Sequence, residues 1–443
     1  MPGPEEAKVF VHKTCVLHST IMAIAGIQNA IPLIHGPIHC TYHYKVFTEM
    51  FLGSKIRLVC SGLTESDVIF GAVDKLRLAI QETYKRYRPE LIGVITTCAA
   101  DLMGEDVDGV ISEVANGLVS CDVVHVPSGG FRGGKAGPNQ GYGYHLAYDA
   151  LVGLMEASDY RIENSVNILG HIHPPGKGQD INEIIRPLRR MGVRINCVMT
   201  AGSRLCDIKR VPEAQLNVVR CENNARRTAE LLEARFGMPW VSAKMAPVGT
   251  GAMSDWLMAT GKALGMEARA RGVVAEERRS AQKALEPVRA AVEGKRGAVF
   301  LSPGKSLAVS RFLYEDLGVR PVAIYMLHYN EWVIDTIKEM VSEWDFVPEI
   351  LIEPEYSQVI ATLEDLEVEI ALGGTIEKQI CKSMGIPYVH EMVYQEPHHG
   401  YQGAVKLGQE ILDSVTAALW AEARVDLTHN VTEVAGNVGD HRL

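Results

Sequence analysis

The alternation of short apolar runs with longer amphipathic stretches constrains this chain more than any other feature. The runs ELIGVITT (90–97), VNILGHI (166–172), RINCVMT (194–200), LNVVRC (216–221), GAVFLS (297–302), PVAIYML (321–327), EILIE (349–353) and EIALGG (369–374) are rich in Val, Ile and Leu and too short for helices. Between them lie stretches with helical periodicity, among them SDVIFGAVDKLRLAIQETYKRY, INEIIRPLRRMG and NARRTAELLEARFG. Near-continuous apolar strands separated by helices predict parallel sheets, because each parallel crossover lays a helix on a sheet face. The predicted class is α/β: three Rossmann-like units with mostly parallel sheets covered by helices. We place the units at 1–162, 163–292 and 293–443, with the charged helix EERRSAQKALEPVRAAVEG bridging the last two. Right-handed crossovers put ligand-binding loops at the carboxyl ends of the strands.

A chain of 443 residues, 47% of them apolar, is large enough to build several such cores. Its formal net charge of −10 argues against a broad nucleic-acid-binding surface. No apolar run reaches the length of a membrane span, and MPGPEEAKVF has no apolar signal core. The expectation is a cytoplasmic protein without a nucleic-acid or membrane partner. In a reducing compartment its nine cysteines are not needed as disulfides, and no CxxC pair supplies zinc-knuckle or thioredoxin spacing.

Three cysteines stand out by position. Cys15 lies in KTCVLHST, Cys40 ends HGPIHC after the strand-like AIPLI, and Cys98 ends GVITTC before the helical AADLMGEDVDGVI. A thiolate near a helix N-terminus has a lowered pKa and can ligate soft iron. Taken singly, each reads more simply as a small buried hydrophobe. Other motifs are weaker. SPGKS (302–306) lacks the first glycine of a phosphate loop, since Val299 stands there. His171 and His173 alternate along an extended segment and so point apart, and the adjacent His398 and His399 default to packing or hydrogen bonding.

Taken together, the Cys15 segment, HGPIHC, SGLTESDVIFGA and TTCAADLMGED resemble component 1 of nitrogenase. The resemblance implies that Cys15, Cys40 and Cys98 hold half of a P-cluster-type iron–sulfur cluster shared with a K-type (beta) subunit. It leaves the nearby His35, His39 and His43 to packing. LNVVRCENNARRTAELLEARFGMPW and GGTIEKQICKSMGIPYVHEMVYQEPHHGYQG are similar to the catalytic, D-type subunit. They imply that Cys221 and His390 bind the two ends of a larger iron–sulfur cofactor. GGFRGGKAGPNQGYGYHLA (129–147) resembles the glycine-rich loop beside that cofactor, with Arg132 and Lys135 as cations and Gln140 and His145 lining the pocket. Tyr144 stands there in place of a nitrogenase histidine.

Two further positions depart from the family pattern. Ile376 replaces the lysine that holds the organic acid in molybdenum nitrogenase, and Ser306 replaces an arginine over the cofactor, leaving the adjacent Lys305 as the cation. A carboxylate buried against Ile376 would be unpaired, which is costly. The resemblance therefore implies an iron-only cofactor without homocitrate. It further implies a D2K2 heterotetramer, an ATP-dependent homodimeric iron protein as electron donor, and a small-molecule substrate. The relatives that fit best are the methylthio-alkane reductases, which cleave C–S bonds of small methylthio compounds. Dinitrogen reduction and a non-catalytic scaffold for cofactor assembly are the alternatives.

Overall fold

Every strand pair within the three sheets is parallel in the computed structural model, which describes residues 15–51, 56–131, 140–170, 179–327, 331–391 and 398–417. The first sheet contains β1 (Ala30–His35), β2 (Val59–Cys60), β3 (Leu91–Thr96) and β4 (Asp122–Pro127), in the order β2-β1-β3-β4. The second contains β5 (Ile162–Leu169), β6 (Arg194–Val198), β7 (Ala214–Val219) and β8 (Trp240–Ser242), in the order β6-β5-β7-β8. The third contains β9 (Arg296–Leu301), β10 (Arg320–Met326), β11 (Glu349–Ile352), β12 (Ile370–Gly373) and β13 (Tyr388–His390), in the order β11-β10-β9-β12-β13.

All eight predicted runs become strands. Central strands such as β3 and β12 are buried along their whole length, which is why their sequences read as unbroken apolar runs. The strands that were not predicted, β2, β4, β8 and β13, are all edge strands. An edge strand is covered less completely and carries a weaker apolar signal.

Each strand order reverses once, and that reversal opens a crevice at the carboxyl edge where ligands bind in open α/β sheets. The crevices fall between β1 and β3, between β5 and β7, and between β9 and β12. One core joins the first two units. In it Leu17, Ile21 and Ile24 of the helix Val16–Ala25 and Tyr148 and Leu151 of the helix Gln140–Val152 share a group with Leu169, Val219 and Leu232. The helix Glu267–Val292 begins nine residues before the predicted charged segment, and the last described helix, Gly400–Thr416, packs along it.

One local expectation needs correction. SDVIFGAVDKLRLAIQETYKRY forms two helices, Glu65–Phe70 and Val73–Tyr87, rather than one. The break is at Gly71, whose φ of 94° is a conformation that a side chain disfavours. As expected, Cys40 follows a strand: AIPLI becomes β1, which ends at His35, and Cys40 lies in the first turn of the helix Ile38–Phe51. No helix among the described residues is long and apolar enough to cross a membrane.

Candidate functional site

At the carboxyl edge of the first sheet, three thiols converge from three elements. Cys15 caps the helix Val16–Ala25, Cys40 follows β1, and Cys98 begins the helix Cys98–Met103 after β3. The latter two therefore flank the first crevice. After β4, the Gly130 N–H donates to the Cys98 Sγ at 3.1 Å. A Cβ placed on Gly130 would lie 3.5 Å from the Cys98 Sγ and 3.8 Å from the Cys15 Sγ, so both sulfurs face one glycine. Burial raises the Cys40 pKa, and the neighbouring Cys15, Cys98 and Cys60 thiols raise it further. Crowded thiols of this kind cannot all ionise unless a cation joins them.

No group of three or more His, Cys, Asp or Glu among the described residues is spaced to grip a single ion. A multi-iron cage spreads its thiolates over several metals, and the crowding at Cys40 fits such a group. His35 is buried with Nδ1 2.9 Å from the Ser61 hydroxyl, while His39 and His43 are exposed.

In the second unit, β7 leads through Arg220 to Cys221, which caps the helix Glu222–Phe236 beside the second crevice. Burial raises the Cys221 thiol pKa, opposed by the Arg220 charge and by the amides of Asn223 and Asn224 at the helix start. Those same groups would stabilise a metal-bound thiolate. Gly170, at the end of β5, approaches this loop with φ 79°. Its Cβ would meet the Cys221 carbonyl oxygen at 2.9 Å and the Ala225 Cβ at 3.0 Å. Gly170→Ala is therefore expected to cost about 1–3 kcal/mol through strain and contact. An unchanged urea midpoint would show that the loop has room to shift.

The helix Gln140–Val152 packs against Glu222–Phe236 and brings His145 to the same loop. Burial lowers the His145 pKa to about 4, while the Asn223 backbone opposes the shift. The ring is thus neutral near pH 7, and its buried Nδ1 has no hydrogen-bond partner among the described residues. Tyr144 is 1% exposed and lies in the core with its ring 6.1 Å from that of Tyr148. Arg132, Lys135, His171 and His173 lie outside the described residues, as do the side chains of Gln140 and Ile376.

In the third unit, His390 is the last residue of β13 and sits opposite Gly373 of β12. Burial, Lys378 and Lys305 lower its pKa, which favours the neutral imidazole that ligates metals. Lys305, after β9, forms an ion pair with the fully buried Glu391 and also donates to its carbonyl oxygen at 3.2 Å. Its charge is thereby largely neutralised by Glu391. The Ser306 hydroxyl bonds to both the N–H and the carbonyl of Leu301 and donates to Tyr325 O at 2.7 Å, which turns it into the core.

A network that the sequence did not mark joins these loops. His398 lies 3.5 Å from the Glu391 carboxylate and 3.1 Å from Glu410, and His399 hydrogen-bonds Arg220. The neighbours of Cys221 and His390 thus meet across the adjacent His398–His399 pair. Glu377, in the first turn after β12, is 1% exposed, and neither of its carboxylate oxygens completes a hydrogen bond. Burial lifts its pKa to about 7, with the nearby Gly374 and Glu377 amides opposing. Arg220 beside Cys221 and Lys378 beside His390 give the two proposed attachment points positive surroundings, which fits an anionic group held between them.

Three parallel sheets with cysteines gathered at their carboxyl edges define a known class of protein. Residues 15–416 match the family described as nitrogenase component 1 type oxidoreductase, and the chain belongs to it. Its relatives include the nitrogenase molybdenum-iron protein alpha chain of Methanothermobacter thermautotrophicus, 29% identical over 419 residues, which span 89% of this chain and 86% of that protein. They also include the nitrogenase iron-molybdenum cofactor biosynthesis protein NifE of Nostoc sp., 27% identical over 420 residues, spanning 93% and 84%. The solved structure of nitrogenase Cp1 at pH 5 shares the fold, with a TM-score of 0.79 at 21% identity, covering 96% of this chain and 92% of that one.

Proposed function

We propose that this chain is the catalytic, D-type subunit of a nitrogenase-like reductase that cleaves C–S bonds of small methylthio-alkanes. The observation that carries this reading is the meeting of the Cys221 loop with the end of β13 through Arg220–His399 and Glu391–His398. Cys221 would hold one end of an iron–sulfur cofactor through its thiolate, and His390 the other through a neutral imidazole. When bound, that cofactor supplies electrons and iron sites for R–S–CH3 to take up two electrons and two protons, giving R–H and CH3SH. Arg220 and Lys378 balance its negative charge, and His145 offers one nitrogen beside the Cys221 loop. Cys15, Cys40 and Cys98 would hold the chain's share of a P-cluster-type cluster at the boundary with a K-type subunit, reached by electrons from an ATP-dependent iron protein.

The absence of homocitrate is supported by the surroundings. Ser306 is bonded to backbone, and Lys305 is paired with Glu391. An organic acid placed there would compete with Glu391 for that lysine, and its buried charge would be poorly compensated. Dinitrogen reduction with a homocitrate-bearing cofactor is correspondingly disfavoured.

A scaffold for cofactor assembly is the second reading, favoured by the NifE relatives at nearly the same identity and coverage. The complex purified without oxygen, with its partner subunit, distinguishes the two. We expect iron in excess of the interface cluster, neither molybdenum nor vanadium, and methanethiol released from methylthio substrates when the iron protein and ATP are present. Stoichiometric molybdenum or vanadium would defeat the iron-only assignment. Excess iron without methanethiol release, given up to a second acceptor protein, would favour the scaffold.

A further inference from the structure

We propose that Asp101 is a positioning residue for the iron–sulfur cluster at the first sheet: it fixes the turn after β4 so that the Gly130 N–H points at the Cys98 sulfur, and so helps to set that cluster's reduction potential. The inference rests on the reading of Cys15, Cys40 and Cys98 as ligands and goes beyond it. Asp101 lies within TTCAADLMGED, where the resemblance implies a ligand at Cys98 alone.

The Asp101 carboxylate spans two strand ends. It sits in the first turn of the helix Cys98–Met103. Its Oδ1 accepts from the hydroxyl of the buried Thr96, the last residue of β3. Its Oδ2 accepts from the Gly129 N–H at 3.0 Å, in the loop after β4. That loop leaves the sheet at Ser128, whose N–H still donates to the Thr96 carbonyl at 3.1 Å. From the other side, the Ser128 hydroxyl donates to Thr20 Oγ1 at 2.9 Å, on the helix that Cys15 caps. The turn is thus held on both sides, and its next N–H, that of Gly130, reaches the Cys98 Sγ at 3.1 Å. A Cβ on Gly129 would fall 2.7 Å from Asp101 Oδ2, so the carboxylate fills the space that a side chain would need.

A thiolate sulfur that accepts an N–H gives less electron density to its iron, which favours the reduced cluster and raises its potential. Such a bond weakens steeply when the N–H is misaligned. Two successive glycines have the most conformational freedom to lose, so an N–H on this turn keeps its aim only if something else fixes the backbone. Asp101 supplies that constraint, while its own negative charge acts on the potential in the opposite direction. The two effects can be separated. Asp101→Asn removes the charge and keeps an acceptor oxygen for Gly129, whereas Asp101→Ala removes both.

The test is a redox titration of the interface cluster in the complex with the partner subunit, followed by electron paramagnetic resonance. Asp101→Asn and Asp101→Ala carry the same charge, so a gap between their midpoints reports the turn. Asp101→Ala should be reduced about tenfold less readily than Asp101→Asn, a midpoint lower by about 59 mV for one electron. Thr96→Val changes no charge and frees one end of the carboxylate, so its midpoint should lie below that of the wild type. A purely structural Asp101 would lower the melting temperature of Asp101→Ala and leave the two midpoints equal, and that equality would overturn the positioning role. Should Asp101→Ala bind no iron, Thr96→Val decides instead, and a wild-type midpoint there overturns the role. Cys98→Ala tests the reading beneath. Loss of the cluster signal in that variant leaves the ligands standing whatever the midpoints show, whereas wild-type iron and spectrum would overturn the ligands and the positioning role together.

Discussion

Cys221→Ala is expected to abolish binding of the larger cofactor and with it substrate reduction, while leaving the cluster at the first sheet intact. The thiol is buried at a helix start beside the second crevice. On the proposed reading, removing it leaves one end of the cofactor without a soft ligand, and His390 alone would have to hold a group proposed to be held at two points. The alanine itself should fold well, since it removes one small buried atom and no hydrogen bond of the helix cap. Electron paramagnetic resonance of the complex checks the result. Cofactor signals should vanish and interface-cluster signals persist. Retention of both sets would remove Cys221 from the site.

Lys305→Met is expected to destabilise the fold by about 3 kcal/mol, at the lower end for breaking a buried ion pair because the lysine is partly exposed. The variant leaves Glu391 fully buried with His398 as its remaining charged partner. Lys305→Met combined with Glu391→Gln should recover most of that loss, because the cost lies in the uncompensated carboxylate rather than in the missing lysine. Urea unfolding of the single and double variants decides. A double variant as unstable as the single one would locate the effect in packing.

The same network has a signature in pH. Lys305 and His398 hold the Glu391 carboxyl down to about 2 against burial, so its contribution is present above its ordinary value of 4.5 and fades as pH falls toward 2. Glu391 and Glu410 raise His398 to about 9 against burial, so its contribution is full below 6.5 and fades as pH rises through 9. The network is strongest between 4.5 and 6.5. His398→Gln should therefore flatten the decline in melting temperature between pH 6.5 and 9, and equal slopes in the two proteins would contradict the assignment.

Much of the fold was legible because burial of a central parallel strand is a local property. GVIT in β3 and IALG in β12 are covered on both faces, and each residue must be apolar wherever the strand lies in the chain. DVVHVP in β4 and YVH in β13 are edge strands with polar residues and gave no comparable signal. Cys15, Cys40, Cys98, Cys221 and His390 were proposed as ligands by motif resemblance, whereas periodicity alone marked none of them as different from core residues. Tyr144, placed by resemblance, is buried beside Tyr148, a neighbour that helical spacing from His145 does not reveal.

By itself, the sequence determined that this chain forms three helix-covered parallel sheets, because apolar period and strand length act within a few residues. Only the tertiary structure decided which loops share a crevice. Arg220 reaches His399 across 179 positions, and Lys305 meets Glu391 across 86. Strand order and its reversal in each sheet create those pairings, and they depend on how whole units pack rather than on any residue's own preference.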